Sequence, residues 1–228
     1  FNCCPNLASI NVGSGNMAYA SVDGVLFSKN KTTIIRYPSN KTGSSYVIPD
    51  SVTSIGYGAF GGPKSFPDIF YPSLTSITIP KTVTQIESGG MWIGNYYYSG
   101  HLFSQCPCLT SIVVEEGNPR YKTTQNGNGI IDKTTNTLKA GDQTTIIPDS
   151  VTSIGEFAFY DCDALTSITI PNSVTSIEYE AFWACSSLTS ITIPDSVTSI
   201  GNGAFYHCDK LTSVTIGNSA NNIIGADL

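Results

Sequence analysis

Hydrophobic and polar positions along this chain repeat with a period of 23 residues. The repetition is clearest from Ile147 to Ile216, where IPDSVTSIGEFAFYDCDALTSIT is followed by IPNSVTSIEYEAFWACSSLTSIT and IPDSVTSIGNGAFYHCDKLTSVT. A period between about 20 and 50 residues is the signature of a protein built from stacked repeats. In such a protein each repeat contacts mainly its neighbours, so the core extends along the stack. The pattern therefore predicts a single repeat solenoid over residues 1–228.

The end of each repeat has the pattern of a β-strand with one buried face. Leu165, Ile168 and Ile170 end in strict alternation with polar residues, and a proline follows. This pattern also resembles the L-x-x-L-x-L strand of leucine-rich repeats. Because equivalent strands stack, we expect a parallel sheet on one face of the solenoid and little regular helix elsewhere. Eight such strands are predicted, ending at Val12, Ile48, Ile79, Val114, Ile147, Ile170, Ile193 and Ile216.

Two segments depart from the 23-residue unit and read as inserted β-hairpin modules, at about 13–47 and 115–146. The first contains two apolar runs rich in β-formers on either side of Lys29–Lys31, which predicts a hairpin. The second repeats the theme with a longer Asn-Gly-Asn-Gly turn at Asn126–Gly129. The chain is therefore predicted to contain two hairpin modules, each followed by repeats.

Two further departures are loop insertions, at about 61–73 and 87–102. Their aromatic residues and one histidine form the first candidate binding site: Phe66, Phe70, Tyr71, Trp92, Tyr96, Tyr97, Tyr98 and His101. Both insertions interrupt the same side of adjacent repeats, so stacking is expected to bring them together. Loops on a rigid scaffold often carry binding function, and Tyr and Trp suit protein or sugar surfaces. The alternative is that these aromatic residues only pack on each other.

The exposed face of the parallel sheet is a second and weaker candidate. Alternation along the strands directs small hydroxyl side chains outward. The residues concerned are Ser76, Thr78, Ser167, Thr169, Ser190, Thr192, Ser213 and Thr215. Strand propensity and solubility alone explain such a row, and it lacks the Trp, Tyr and Arg residues that dominate binding energy at interfaces.

Charge and composition exclude some classes of partner. The net charge of −6 argues against nucleic acid, whose phosphates require a basic surface. No apolar run reaches the 18 or so residues that a membrane span needs, so no membrane insertion is expected. The chain starts at Phe1, inside a repeat and without Met, and we expect it to be part of a longer protein.

The seven cysteines are explained mainly by the repeat. Five of them lie three positions after a repeat Phe: Cys4, Cys106, Cys162, Cys185 and Cys208. A Cys in register with core residues is predicted to be a free, buried thiol that acts as a small hydrophobe. No Cys-x-x-Cys pair has a second pair or a His at ligand spacing, which argues against a metal site. Cys3 and Cys108 lie outside the register and are the thiols expected to be reactive.

The residue pattern predicts no catalytic site and no cofactor. Of the two histidines, His207 replaces Asp161 or Ala184 at an equivalent position and is interpreted as a surface variant. The recurring Asp50, Asp149 and Asp195 follow a proline and give way to Asn172 in one repeat, which indicates turn formation rather than acid–base chemistry. The glycine-rich stretches lack the Lys of a phosphate loop.

The block C-x-x-L-T-S-I-T-I-P-x-S-V-T-S-I-G-x-x-A-F resembles the leucine-rich repeat of BspA-like bacterial surface antigens. The hairpin modules, with Asp23–Phe27 and Asn118–Tyr121, are similar to longer units interspersed in those proteins. The resemblance covers nearly the whole chain except the two insertions. It implies a secreted or cell-surface protein in which the repeats mediate adhesion or protein binding, without catalytic residues.

The function expected from sequence is therefore a non-enzymatic binding module whose partner is an extracellular protein or glycan. Two alternatives stay open. The first is that the chain is a carbohydrate-binding accessory region of a larger secreted protein, which the clustered aromatic residues favour. The second is that it is a structural spacer, which the uniform Ser/Thr row would suit.

Overall fold

The computed structural model of this protein describes residues 4–61, 73–87, 89–93, 96–100, 102–103, 106 and 108–217. The chain divides into two compact units, Phe1–Arg120 (unit 1) and Tyr121–Leu228 (unit 2). The described residues form eighteen strands joined by turns and loops, without a helix. The β-rich fold with little regular helix is therefore confirmed.

Unit 1 begins with an antiparallel meander of three strands, β1 (Tyr19–Val22), β2 (Val25–Ser28) and β3 (Thr33–Arg36). The sequence predicts only the second hairpin, β2–β3, around Lys29–Lys31. The first hairpin closes through Asp23 and Gly24, whose φ angles are 48° and 77°. A type I′ turn requires positive φ at both central residues, and it is favoured in two-residue hairpins because its twist matches that of the flanking strands. The prediction of a single hairpin is therefore wrong, and the Asp-Gly pair is the signal for the additional one.

Two parallel ladders follow the meander. The remaining strands of unit 1 are β4 (Ser45–Val47), β5 (Ser54–Ile55), β6 (Ser76–Ile79), β7 (Gln85–Ile86), β8 (Gly89–Ile93), β9 (Tyr96–Gly100) and β10 (Ser111–Val114). Strands β4, β6 and β10 pair in parallel with β6 in the centre, and they form the predicted sheet, named here the L-T-S-I ladder. Strands β3, β5 and β7 pair in parallel as a second ladder, named the V-T-S-I ladder. The V-T-S-I segments are predicted only as a return path, so this second ladder is an addition to the predicted fold.

The insertion at 87–102 contains a hairpin rather than only a loop. Strands β8 and β9 are antiparallel, and Trp92 is paired with Tyr97 in their register. Aromatic and β-branched residues favour strands, and the sequence Gly94-Asn95 separates the two runs. The interpretation of this insertion as a loop is therefore wrong for β8 and β9. The insertion at 61–73 lies outside the described residues except at 61 and 73.

Unit 2 repeats the plan of unit 1. Its strands are β11 (Tyr121–Thr123), β12 (Gly129–Asp132), β13 (Thr137–Gly141), β14 (Ser153–Ile154), β15 (Ser176–Ile177), β16 (Ser190–Ile193), β17 (Ser199–Ile200) and β18 (Ser213–Ile216). Strands β11 to β13 form an antiparallel meander, and β13 continues in parallel through β14, β15 and β17 as the V-T-S-I ladder. Strands β16 and β18 form its L-T-S-I ladder. The predicted correspondence between the two modules is confirmed, although each contains three strands.

Five of the eight predicted L-T-S-I strands are strands in the structure, namely β4, β6, β10, β16 and β18. The segments 7–12, 142–147 and 165–170 are not strands. In the first of these, the N–H of Ile10 donates to the carbonyl of Gly24 at 2.7 Å, and that of Val12 donates to the hydroxyl of Ser21 at 3.0 Å. The meander therefore takes hydrogen bonds that a ladder would need. The other two segments belong to unit 2, where the L-T-S-I ladder begins only at β16.

The core of unit 2 is a column of equivalent side chains. Phe159, Phe182 and Phe205 stack with ring centroids 5.0 and 5.2 Å apart and planes inclined by 4° and 6°. Val, Ile, Ala and Leu of each repeat surround this column and are buried. Burial of each Val, Ile, Leu or Phe side chain contributes about 1.5–3 kcal/mol. The stack is therefore stabilised by apolar residues that pack against the equivalent residues of neighbouring repeats.

Buried thiols belong to the same core, as predicted for Cys106, Cys185 and Cys208. Cys4 is exposed and Cys162 is partly exposed, so the prediction is wrong for Cys4 and only partly right for Cys162. The repeat of Cys162 follows the meander rather than another 23-residue repeat, so it lacks a preceding equivalent to cover it. Burial nevertheless raises the pKa of the Cys162 thiol to about 12.

Candidate binding surfaces

The aromatic candidate site is described only in part. Phe66, Phe70, Tyr71 and His101 lie outside the described residues. Trp92, Tyr96, Tyr97 and Tyr98 lie on β8 and β9, where the backbone register pairs Met91 with Tyr98, Trp92 with Tyr97 and Ile93 with Tyr96. One hairpin thus brings together four of the eight predicted residues. The approach of the two insertions to each other stays a prediction.

The predicted hydroxyl row is outward-facing in both units. Six of its members are exposed, namely Ser167, Thr169, Ser190, Thr192, Ser213 and Thr215, whereas Ser76 and Thr78 are partly exposed. In unit 1 the register places Thr78 between Val47 and Val113, which are 63% and 42% exposed. The outward face of this sheet therefore carries apolar as well as hydroxyl groups.

A different set of threonines stabilises the ladders through hydrogen bonds between repeats. The hydroxyl of Thr175 donates to the carbonyl of Thr152 at 3.1 Å, and that of Thr198 donates to the carbonyl of Thr175 at 3.2 Å. The N–H groups of the same two threonines donate to the same carbonyls at 2.8 and 2.9 Å. Thr175 and Thr198, the threonines of two V-T-S-I segments, thus each connect their repeat to the preceding one by two hydrogen bonds.

Glu178 forms a small polar cluster that is absent from the sequence-based predictions. Its Oε1 accepts hydrogen bonds from Ser176 at 2.7 Å and Ser153 at 3.1 Å, and the two hydroxyl oxygens lie 2.9 Å apart. The signal in the sequence is that a Glu stands here where the flanking repeats have Gly155 and Gly201. Because the hydroxyl groups of Ser176 and Ser153 donate to this carboxylate, we interpret the cluster as a contact that stabilises the V-T-S-I ladder rather than as a binding site.

The described residues carry no arrangement typical of a metal or membrane site. Among them, no group of three or more His, Cys, Asp and Glu side chains is placed to hold a metal ion. No helix in the described part of the chain has the length and apolar character needed to cross a bilayer. His207 is exposed, as predicted for a surface variant, and its Nδ1 lies 3.9 Å from a carboxylate oxygen of Asp209.

The repeats match a known family. Six copies of the BspA-type leucine-rich-repeat region match at residues 39–90 and 139–226, which is more than half of the chain. The chain belongs to the BspA-type leucine-rich-repeat family. This membership agrees with the resemblance that the L-T-S-I and V-T-S-I segments carry. Among curated proteins, none matches this chain in sequence.

Solved structures of leucine-rich-repeat proteins are similar to this BspA-type chain. A leucine-rich cell-surface protein from Faecalibacterium prausnitzii A2-165 is 27% identical over 100% of this chain, with a TM-score of 0.49. A leucine-rich-repeat protein from Eubacterium ventriosum is 25% identical over 98% of it, with a TM-score of 0.46. The pneumococcal vaccine antigen PcpA is 17% identical over 95%, with a TM-score of 0.48, and this chain covers 76% of its length. The chain spans only 47% and 56% of the first two proteins.

An aromatic row accompanies the BspA-type repeats of unit 2 and was missed from sequence. Tyr160, Trp183 and Tyr206 each follow a core Phe, and their rings lie 6.0 and 4.6 Å apart in succession. The signal is the dipeptide Phe-Tyr or Phe-Trp in three consecutive repeats. Tyr160 is buried, Trp183 is partly exposed and Tyr206 is 40% exposed, so the exposure of the row increases toward Tyr206.

Glu180 lies beneath this row. The side chain is 4% exposed, and its Oε2 has no hydrogen-bond partner. A Cβ at Gly203 would lie 3.3 Å from Cγ of Glu180 and 3.6 Å from the ring of Trp183, so Gly203 is close to both side chains. Burial raises the pKa of the Glu180 carboxyl above its ordinary value, although a hydrogen bond from Tyr179 opposes the shift.

Proposed function

We propose that this chain is a non-enzymatic binding module of a secreted or cell-surface protein and that it mediates adhesion or protein–protein interaction. The observation that carries the proposal is hairpin β8–β9, which interrupts an otherwise regular array with a run of aromatic residues. Several Thr hydroxyls of the regular repeats already donate hydrogen bonds to the preceding repeat. Tyr and Trp, in contrast, supply large contact areas and are enriched among residues that dominate binding energy.

The proposed location rests on the resemblance of the repeats to those of BspA-like surface antigens. The proposed contact site is the set of aromatic residues on the insertions, with Trp92 and Tyr96–Tyr98 as the part that the structure describes. The partner class is an extracellular protein, and glycan recognition is the alternative that the same aromatic residues would serve.

An array of extracellular-matrix proteins and glycans tests the proposal. The intact chain is compared with a variant in which Tyr96, Tyr97 and Tyr98 are replaced by Ser, and with a control, Tyr206→Ser, which removes an exposed Tyr elsewhere. We expect binding to at least one protein, loss of that binding in the triple variant, and retention in the control. Unchanged binding by a folded triple variant would refute the proposed contact site. Binding to glycans alone would favour the accessory-region alternative, and binding to neither would favour a spacer.

A further inference from the structure

The L-T-S-I ladder of unit 2 is incomplete. The segments 144–147 and 167–170 occupy repeat positions equivalent to β4 and β6, which pair with each other in unit 1. Neither segment is a strand in unit 2. Within the described residues, the backbone N–H and C=O groups of Ser167–Ile170 form no hydrogen bond, whereas β16 pairs over four residues with β18. The structure thus contains, at Ser167–Ile170, backbone groups without a hydrogen bond inside a stack of paired strands.

The length of one connection accounts for the missing strand at residues 144–147. Tyr37 and Gly141 are equivalent, because their N–H groups donate to the carbonyls of Ala59 and Ala158, both at 2.8 Å. From this point the chain reaches the next repeat at Ile48 in unit 1 and at Ile147 in unit 2, with five fewer residues in unit 2. The shorter connection lacks the extra residues that allow β4 to lie beside β6.

The connection in unit 2 is also hydrogen-bonded to the turn between β11 and β12. The carbonyl of Thr144 accepts a hydrogen bond from Nδ2 of Asn126 at 2.6 Å. The hydroxyl of Thr145 donates to the carbonyl of Asn128. Both asparagines belong to the β11–β12 turn, so this turn fixes the residues that immediately precede Ile146. Residues 144 and 145 are therefore hydrogen-bonded to the meander, whereas the equivalent β4 of unit 1 is paired with the next repeat.

Residues of both segments line a groove of about 640 Å³, which is formed by residues 143–147, Asp149 and residues 167–172. Its volume is within the range of about 300–1,000 Å³ that is common for binding sites. Ile168 is partly exposed beside it, whereas the equivalent Ile77, Ile112 and Ile191 are buried. Ile146, which also lines the groove, is 63% exposed. The groove thus combines an apolar surface with backbone groups that form no hydrogen bond.

We propose that this groove binds an extended peptide segment of a partner protein, which pairs with Ser167–Ile170 as an added strand. The inference rests on the proposed function as a protein-binding module and specifies the chemistry of one partner. In strand addition, backbone hydrogen bonds supply affinity and alternate side chains supply specificity. The paired neighbours, such as β16 with the sequence SITI, show what fits: aliphatic residues alternate with small hydroxyl residues. Asp149 at the rim favours a basic residue at the end of the peptide over an acidic one.

A fluorescein-labelled peptide of sequence KLTSITIK, added to the intact chain and followed by fluorescence anisotropy, tests the groove. We expect saturable binding that weakens at least about tenfold in Ile146→Asp, because a carboxylate beside the apolar surface must be desolvated. The matched control is Val47→Asp. Val47 has the equivalent position and the same exposure of 63%, but it lies on β4, which is paired with β6. Absence of binding by the wild-type chain, or equal weakening by both variants, overturns the proposal.

Backbone pairing is tested with a second peptide in which alternate amide nitrogens are methylated. This peptide keeps every side chain but lacks the donors that an added strand needs, so we expect its binding to be lost. Retained binding would contradict strand addition. On the protein array, a target lost in the Tyr96–Tyr98 variant but unchanged in Ile146→Asp would refute the groove as a partner site while preserving the proposed function. A wild-type chain that binds no array protein refutes the function itself.

Discussion

The Sγ of Cys185 donates a hydrogen bond to the backbone carbonyl of Phe159, 26 residues earlier, at 3.2 Å. The same bond joins Cys208 to Phe182 and Cys106 to Phe60, each at 3.2 Å. The recurring Cys is therefore more than a small hydrophobe, because its thiol donates a hydrogen bond to the preceding repeat within the core. The carbonyls of Phe159 and Phe182 also accept the N–H groups of Cys162 and Cys185, so the thiol adds a second bond to each. An Ala or Val at this position would lack this bond between repeats.

Replacement of Cys185 by Ala is expected to lower the free energy of unfolding by about 0.5–1.5 kcal/mol, because it removes one of the two hydrogen bonds that the carbonyl of Phe159 accepts and leaves only the bond from the N–H of Cys162 at 3.1 Å. Urea unfolding followed by fluorescence measures the change. The control is Cys108→Ala, which removes an exposed thiol and is expected to change stability by less than about 0.5 kcal/mol. Equal effects of the two substitutions would contradict a structural role for the thiol hydrogen bond.

Replacement of Glu180 by Gly is expected to stabilise unit 2 by about 1 kcal/mol. Glu180 has a φ of 50°, and the equivalent Gly58 and Gly203 have φ of 60° and 65°. Positive φ is a left-handed conformation that Gly adopts without the steric cost of a Cβ. Thermal unfolding of the two proteins measures the difference. The paired control, Gly203→Ala, is expected to destabilise, since its Cβ would lie 3.3 Å from Cγ of Glu180.

The gain from Glu180→Gly is also expected to depend on pH. Burial raises the carboxyl pKa in the folded state. A carboxyl with a raised pKa destabilises the folded state at pH values above that pKa, and the penalty disappears as the pH falls below the ordinary value. The stabilisation is therefore expected to be larger at about pH 7 than at about pH 4. A gain that is independent of pH would show that only the backbone conformation contributes.

Replacement of Gly141 by Ala is expected to destabilise unit 2 by about 1–3 kcal/mol through steric overlap in the core. A Cβ at this position would lie 2.7 Å from Cζ of Phe159. The equivalent residue of unit 1 is Tyr37, whose ring instead packs 5.4 Å from that of Phe60. Denaturant unfolding measures the loss. Gly13→Ala is the control, because a Cβ there meets no atom within 4 Å, and a comparable loss in that variant would refute the steric explanation.

Repetition makes much of the fold predictable. Cys185, Phe182 and Ile193 each recur at 23-residue spacing, so the repeat alone implies that the members of each set share one environment. The hydroxyl row is predictable for the same reason, because strand alternation fixes which side chains face outward. The Asp23–Gly24 turn and the Phe-Tyr and Phe-Trp dipeptides are also visible signals in the sequence, and both were missed.

The sequence by itself determined the family, the repeat length and which residues form the core, because each repeat packs against near-copies of itself. Only the tertiary structure decided which predicted strands are paired. Pairing depends on long-range hydrogen bonds, such as the bond between Asn126 and Thr144, and on the length of a connection between two elements. A local pattern cannot report either, since Ser167–Ile170 and β16 have the same alternation but only β16 has a partner strand.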